Sequence, residues 1–239
     1  MSSAAQETTI YEHPLNEKMW TFLRLEHLFL QVNYHLPQQD IWGSRATVDA
    51  LLDMANIFSR ADIKADLIKE LDRHREKLAN MRQGLGVDTE RLDQILKELE
   101  KATSSIYQIN GQIGHNIRSN EFLKTIMQRS SIPGATCAFD LPQYHYWLEL
   151  PHEQRQRDLD DWLHSLDSIH VAVTLLLSLV RGSTDPTREM AAGGFFQRSL
   201  AFSLHDFCLL THARHFLFHV FDFSQVAADI IRQYRLLIK

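Results

Sequence analysis

Glycine and proline are scarce in this chain, nine and six among 239 residues, and that scarcity excludes most turn-rich β-sandwiches. Cysteine is scarcer still. Cys137 and Cys208 are the only two, too few for a disulfide framework at this length, and both stand in apolar surroundings that suit reduced, buried thiols. Positive charge is not in excess: 25 Lys and Arg against 30 Asp and Glu give a net charge of −5, which argues against nucleic acid as a partner. Long apolar runs are missing too. The longest, Val171 to Val180, is interrupted by Thr174 and Ser178 and covers about half of what a bilayer requires. Met1 to Ile10 lacks the apolar core of a signal peptide. These absences point to a soluble cytosolic protein that is neither exported nor inserted in a membrane.

What is present is helical periodicity. Hydrophobic residues make up 44% of the chain, enough for a sizeable core. Thr9 to Glu12 reads as a brief strand. A first helix follows, capped by Asn16, with Met19, Trp20, Leu23, Leu28, Leu30 and Val32 as its apolar positions, and stops before Pro37. Gly43-Ser44 opens a second. Asp62 caps a third, whose stripe Ile63, Leu67, Leu71, His74, Leu78 and Met81 repeats in steps of four and three. Asp88 caps a fourth with Leu92, Ile95, Leu96, Leu99 and Ala102, and the short break at Gly84-Leu85-Gly86 makes the pair an antiparallel hairpin. A fifth helix is expected over Ser119 to Arg129. Pro133-Gly134 is a turn signal, Cys137 to Phe139 a short strand, and Asp140-Leu-Pro142 starts a compact helical piece. One long helix then carries Leu159, Trp162, Leu163, Leu166, Ile169, Val173, Leu176, Leu177 and Val180 on one face, ended by Gly182.

No recognisable active site accompanies this pattern. Gly84-x-Gly86 lacks the third glycine and the lysine of a phosphate loop, and neither G-x-S-x-G nor H-E-x-x-H occurs. Cys137 has no local activating charge, and pairs such as Asp160-Asp161 belong to polar helix faces. His212, His215 and His219, with His205 two turns earlier, would share one face of a helix and could ligate zinc, but no acidic or cysteine ligand falls on that stripe. Arg24, between Leu23 and Leu25, and His145, between Tyr144 and Tyr146, are better candidates. Together they suit an acidic or carboxylate-bearing peptide.

Several spaced blocks resemble the ZapD family of cell division proteins. They are Tyr11-Glu-His-Pro-Leu-Asn-Glu-Lys18 with Leu23-Arg24-Leu25-Glu26; Leu67-Ile-Lys-Glu-Leu-Asp-Arg73; and Gln128-Arg129, Ser131-Ile-Pro-Gly134, Cys137, Phe139-Asp-Leu-Pro142, His145 and Trp147-Leu148. The similarity continues through Leu150-Pro151, Arg155 and Trp162, in matching order over residues 8 to 181. The resemblance implies a bacterial, cytoplasmic, non-enzymatic adaptor at the mid-cell division ring, without cofactor or metal. It implies binding to the C-terminal tail of the tubulin-like GTPase FtsZ and, as a homodimer, bundling of FtsZ filaments. Arg24 and His145 match two of the family's basic tail-binding positions; a third, normally arginine, falls on Glu121, with Arg118 and Lys124 one turn to either side. It further implies an α+β fold, mainly α with a smaller β-containing part. The helical domain would span residues 15–130, with the helix at 153–181 packed on it. The β-domain would take 8–14, 131–152 and 183–239.

After Gly193-Gly194-Phe195-Phe196-Gln197 the resemblance is expected to stop. Ser199 to Lys239 holds no Gly or Pro, and eight of the thirteen phenylalanines fall between Phe195 and Phe223. Two readings stand: a helical replacement, with Val226, Ile230, Ile231 and Tyr234 on one face, or out-of-frame translation of a disrupted gene, which is preferred. The functional alternative is a metal-binding protein or metal-dependent enzyme using the tail histidines.

Overall fold

The computed structural model describes residues 9–14, 16–82, 88–183, 187–188, 195–200, 208–213, 217–220 and 232–237. Side chains are described for Glu12, Pro14, 16–82 and 88–183. Contacts divide the chain into two units: residues 21–177, and residues 1–20 with 178–239.

The larger unit is built by helices with visible start signals. Asn16 Oδ1 accepts from the Met19 amide at 2.9 Å and opens α1 (Glu17–His35). Asp62 and Asp88 do the same for α3 (Ile63–Met81) and α4 (Thr89–Tyr107), accepting from Ala65 and Arg91. The helix α2 (Ile41–Arg60) begins earlier than Gly43-Ser44, because Asp40 caps it by accepting from the Gly43 amide at 2.8 Å. Gly43 is instead a point of close approach: a Cβ there would meet Gln38 Cβ at 2.6 Å and the His35 carbonyl at 3.1 Å.

Helix α1 turns a different face inward from the one expected. Met19, Phe22, Leu25, Leu28, Phe29 and Val32 are buried at steps of three and four, whereas Trp20 and Leu30 are exposed. Phe29 stacks on His170 of α9 at 4.3 Å between ring centroids. The α3–α4 pair packs as expected, burying Leu67, Leu71, Leu92 and Leu99. His74 is buried in α3; burial, with Arg73 and Lys77 close by, lowers its pKa to about 4, so it is neutral at pH 7.

Residues 115–130 form two helices, α5 (His115–Ser119) and α6 (Glu121–Ser130). Asn120 separates them and caps α6, accepting from the amides of Phe122 and Leu123. Cys137 to Phe139 is not a strand. The segment is a run of turns, with Gly134 at φ +79° and the Leu141 amide donating to the Cys137 carbonyl. Cys137 is half-buried rather than buried, its thiol 3.3 Å from Asp140 Oδ2. The helix α7 (Pro142–Leu148) starts with proline in its first turn, where the missing N–H costs nothing.

The single long helix expected over 153–181 is two, α8 (His152–His164) and α9 (Asp167–Gly182), bent by 65°. At the break Ser165 Oγ donates to the Trp162 carbonyl, and the Leu166 amide turns to Leu163 at 2.7 Å. Among the described residues no single helix is long and apolar enough to cross a membrane; the bent α8–α9 pair meets the test by length and composition only jointly.

The α+β class is corrected to mainly α. Helix accounts for 78% of the residues whose side chains are described. Among the residues whose side chains are described, the buried hydrophobic core runs from Met19 to Val180 on helices and the turns between them. In the smaller unit, backbone ladders join β1 (Thr9–Pro14), β2 (Thr187–Arg188) and β4 (Cys208–Ala213), and separately β3 (Phe195–Leu200), β5 (Leu217–Val220) and β6 (Arg232–Leu237). The described residues show no β-domain. Arg181, at the end of α9, does grip Glu12 of β1 through Nε at 2.5 Å and a terminal nitrogen at 2.7 Å. The helical tail reading falls on Val226, Ile230 and Ile231, outside the described residues; Tyr234 lies in β6.

Candidate functional site

The segment that carries His145 is held from three sides. Phe122 of α6, Tyr144 and Trp147 of α7 and Trp162 of α8 form a ring cluster, with centroids 5.7 to 6.1 Å apart. The Trp147 indole donates to Asp158 of α8 at 2.8 Å. Beneath it Arg155 is buried and makes no ion pair among the described residues. Its guanidinium donates to the carbonyls of Leu148 (2.6 Å), Leu150 (3.0 Å) and Gln39 (2.7 Å) and to Ser44 Oγ (3.1 Å). Two of those carbonyls close α7, where helix ends leave acceptors without partners, and the other two acceptors lie at the start of α2. One side chain thus fastens α7 to both α8 and α2.

On this frame Tyr144 points in and its neighbours point out. Tyr144 is buried, while His145 is exposed and Tyr146 is 70% exposed. Burial holds the Tyr144 phenol above its ordinary range, with the Asp49 carboxylate adding to the shift and the Arg45 guanidinium opposing it. Phe139, in the turns before α7, is 86% exposed, and Trp42 at the start of α2 is 75% exposed.

Arg24 is exposed on α1, one position from buried Leu25. Its helix packs a ring on α9, and α7 packs on α2 and α6. Glu121 is exposed in the first turn of α6, where a carboxylate suits the helix dipole, and pairs with Lys124 at 3.2 Å. Lys124 is therefore already engaged by the residue it was expected to offset. Arg118 is half-buried at the end of α5 and forms no ion pair among the described residues.

Of the tail histidines, His205 and His215 lie outside the described residues. The backbones of His212 and His219 run in β4 and β5, on separate ladders, so helical spacing does not align them. No group of three or more potential metal ligands occurs among the described residues.

Arg45, Trp42 and Arg155 had not been singled out as site residues. Trp42 and Arg45 are separated by a helical step of three, a weak signal; the reach of Arg155 to Gln39, 116 positions away, leaves no local trace.

Residues 23–213 match the family described as ZapD, cell division protein. The chain is 40% identical over 191 residues to the cell division protein ZapD of Methylococcus capsulatus, covering 80% of this chain and 75% of that protein. It is 39% identical over 196 residues to the cell division protein ZapD of Aromatoleum aromaticum, covering 82% and 77%. The match to residue 213 runs beyond Gln197, where the resemblance was expected to stop.

Proposed function

The chain belongs to the ZapD family of cell division proteins, and from that premise we propose that it binds the C-terminal tail of FtsZ and, as a homodimer, bundles FtsZ filaments at the mid-cell ring. The reading is that of a non-enzymatic adaptor. The observation that carries it is the placement of Arg24 and His145, both exposed on helices whose opposite faces are buried.

The mechanism follows from their chemistry. Arg24 offers a fixed fork of donors to a peptide carboxylate or carbonyl. His145 adds a donor that strengthens on protonation, and the exposed ring of Tyr146 supplies apolar contact. Each contact is weak alone. A dimer facing a filament with many tails makes the second contact intramolecular, and effective concentration raises the overall affinity by about 100-fold or more.

Arg24→Ala should consequently lower FtsZ bundling, read by sedimentation, more than it lowers binding of a single tail peptide. A variant that pellets filaments as well as the parent removes Arg24 from the site.

A further inference from the structure

Arg45 is a guanidinium held in place without a counter-ion among the described residues. Its Cζ lies 5.5 Å from the Trp42 ring centroid and 5.1 Å from that of Tyr144. Both terminal nitrogens reach the Thr136 carbonyl at 3.4 Å, and one reaches Thr136 Oγ1 at 3.5 Å. These are long bonds. Nε and one hydrogen of Nη2 have no acceptor among the described residues, and Arg45 makes no ion pair there. The nearest carboxylate on its own helix, Asp49, sits one turn on and interacts only through its field.

Rings on two sides fix the plane of the guanidinium, so little side-chain freedom remains to be lost on binding. The arrangement therefore combines a preset fork, spare donors, and an indole that is 75% exposed beside it. The hydroxyl of Tyr144, one of the two rings, is buried and has no hydrogen-bond partner among the described residues. His145 and Tyr146 follow directly on Tyr144, so this patch continues into the exposed edge of α7.

We propose that Arg45 is a carboxylate-binding position for the partner peptide, with Trp42 as the apolar wall against which a neighbouring peptide side chain packs. This inference rests on the tail-binding reading and adds a position to it. The ligand is a carboxylate-bearing peptide, because a planar anion matches the fork. Asp49 opposes the incoming charge and sets a limit on affinity.

The test is titration of a labelled FtsZ C-terminal tail peptide into the full chain, beside a copy whose carboxyl groups are all amides. The unmodified protein should bind the amide copy about tenfold more weakly. Arg45→Gln should bind the native peptide several-fold more weakly and distinguish the two peptides less than the parent does, keeping only the discrimination that Arg24 and His145 supply. Arg45→Lys, which keeps the charge and loses the fork, should recover only part. Asp49→Asn should tighten binding. Equal affinity of the parent and Arg45→Gln for the native peptide overturns the assignment while leaving tail binding intact. Equal affinity of the unmodified protein for both peptides overturns it without any variant. No binding of the native peptide by the parent overturns the tail reading itself, and this position with it.

Discussion

At Arg155 a single guanidinium meets four neutral acceptors drawn from two other parts of the chain. Replacing it with methionine would keep much of the volume and strand the carbonyls of Leu148, Leu150 and Gln39. Each stranded buried acceptor costs about 1–3 kcal/mol, so Arg155→Met should lower unfolding free energy by about 3 kcal/mol in urea titration, allowing for relaxation. A loss below about 1 kcal/mol would mean that water replaces the guanidinium. Arg155→Lys should also destabilise, because one ammonium cannot span the same acceptors. Residue chemistry of this kind is hidden in sequence: Arg155 stands among Gln154, Gln156 and Arg157 and looks like one more polar position on a charged helix.

At the scale of elements, legibility followed the strength of local signals. Asn16, Asp62 and Asp88 are side-chain caps, and the helices they open begin where the sequence places them. The α8–α9 break was not legible, since apolar periodicity continues across Ser165 while hydrogen bonding does not. The buried face of α1 was ambiguous because Trp20 and Leu30 are apolar and yet exposed. The β-domain expected by resemblance had no local support in residues 199–239, which lack glycine and proline. Helix α6 carries a testable consequence. Its first turn accommodates Glu121 well and engages Lys124 through it. Glu121→Arg should release Lys124 and reverse the local charge, raising tail-peptide affinity about threefold at low salt, an effect that fades as salt is added. A change of that size at 1 M salt would point to packing rather than charge.

For the whole molecule, the two candidate positions divide unevenly. His145 sits on a frame braced by Arg155 and four aromatic rings, and its neighbours were only partly legible. Arg24 was legible as an exposed cation on an amphipathic helix, but its relation to His145 is a tertiary matter that spacing cannot report. Membership of the ZapD family gives the cell-division role, and the tail-bridging mechanism is the specific claim placed upon it. Multivalency makes that claim sharp, because avidity vanishes when one class of contact is removed. The most direct measurement is co-sedimentation of this protein with FtsZ filaments and with filaments lacking the C-terminal tail. The account predicts pelleted bundles with the full-length filaments and loss of both bundling and co-pelleting without the tail; bundling that persists on tail-less filaments would contradict it.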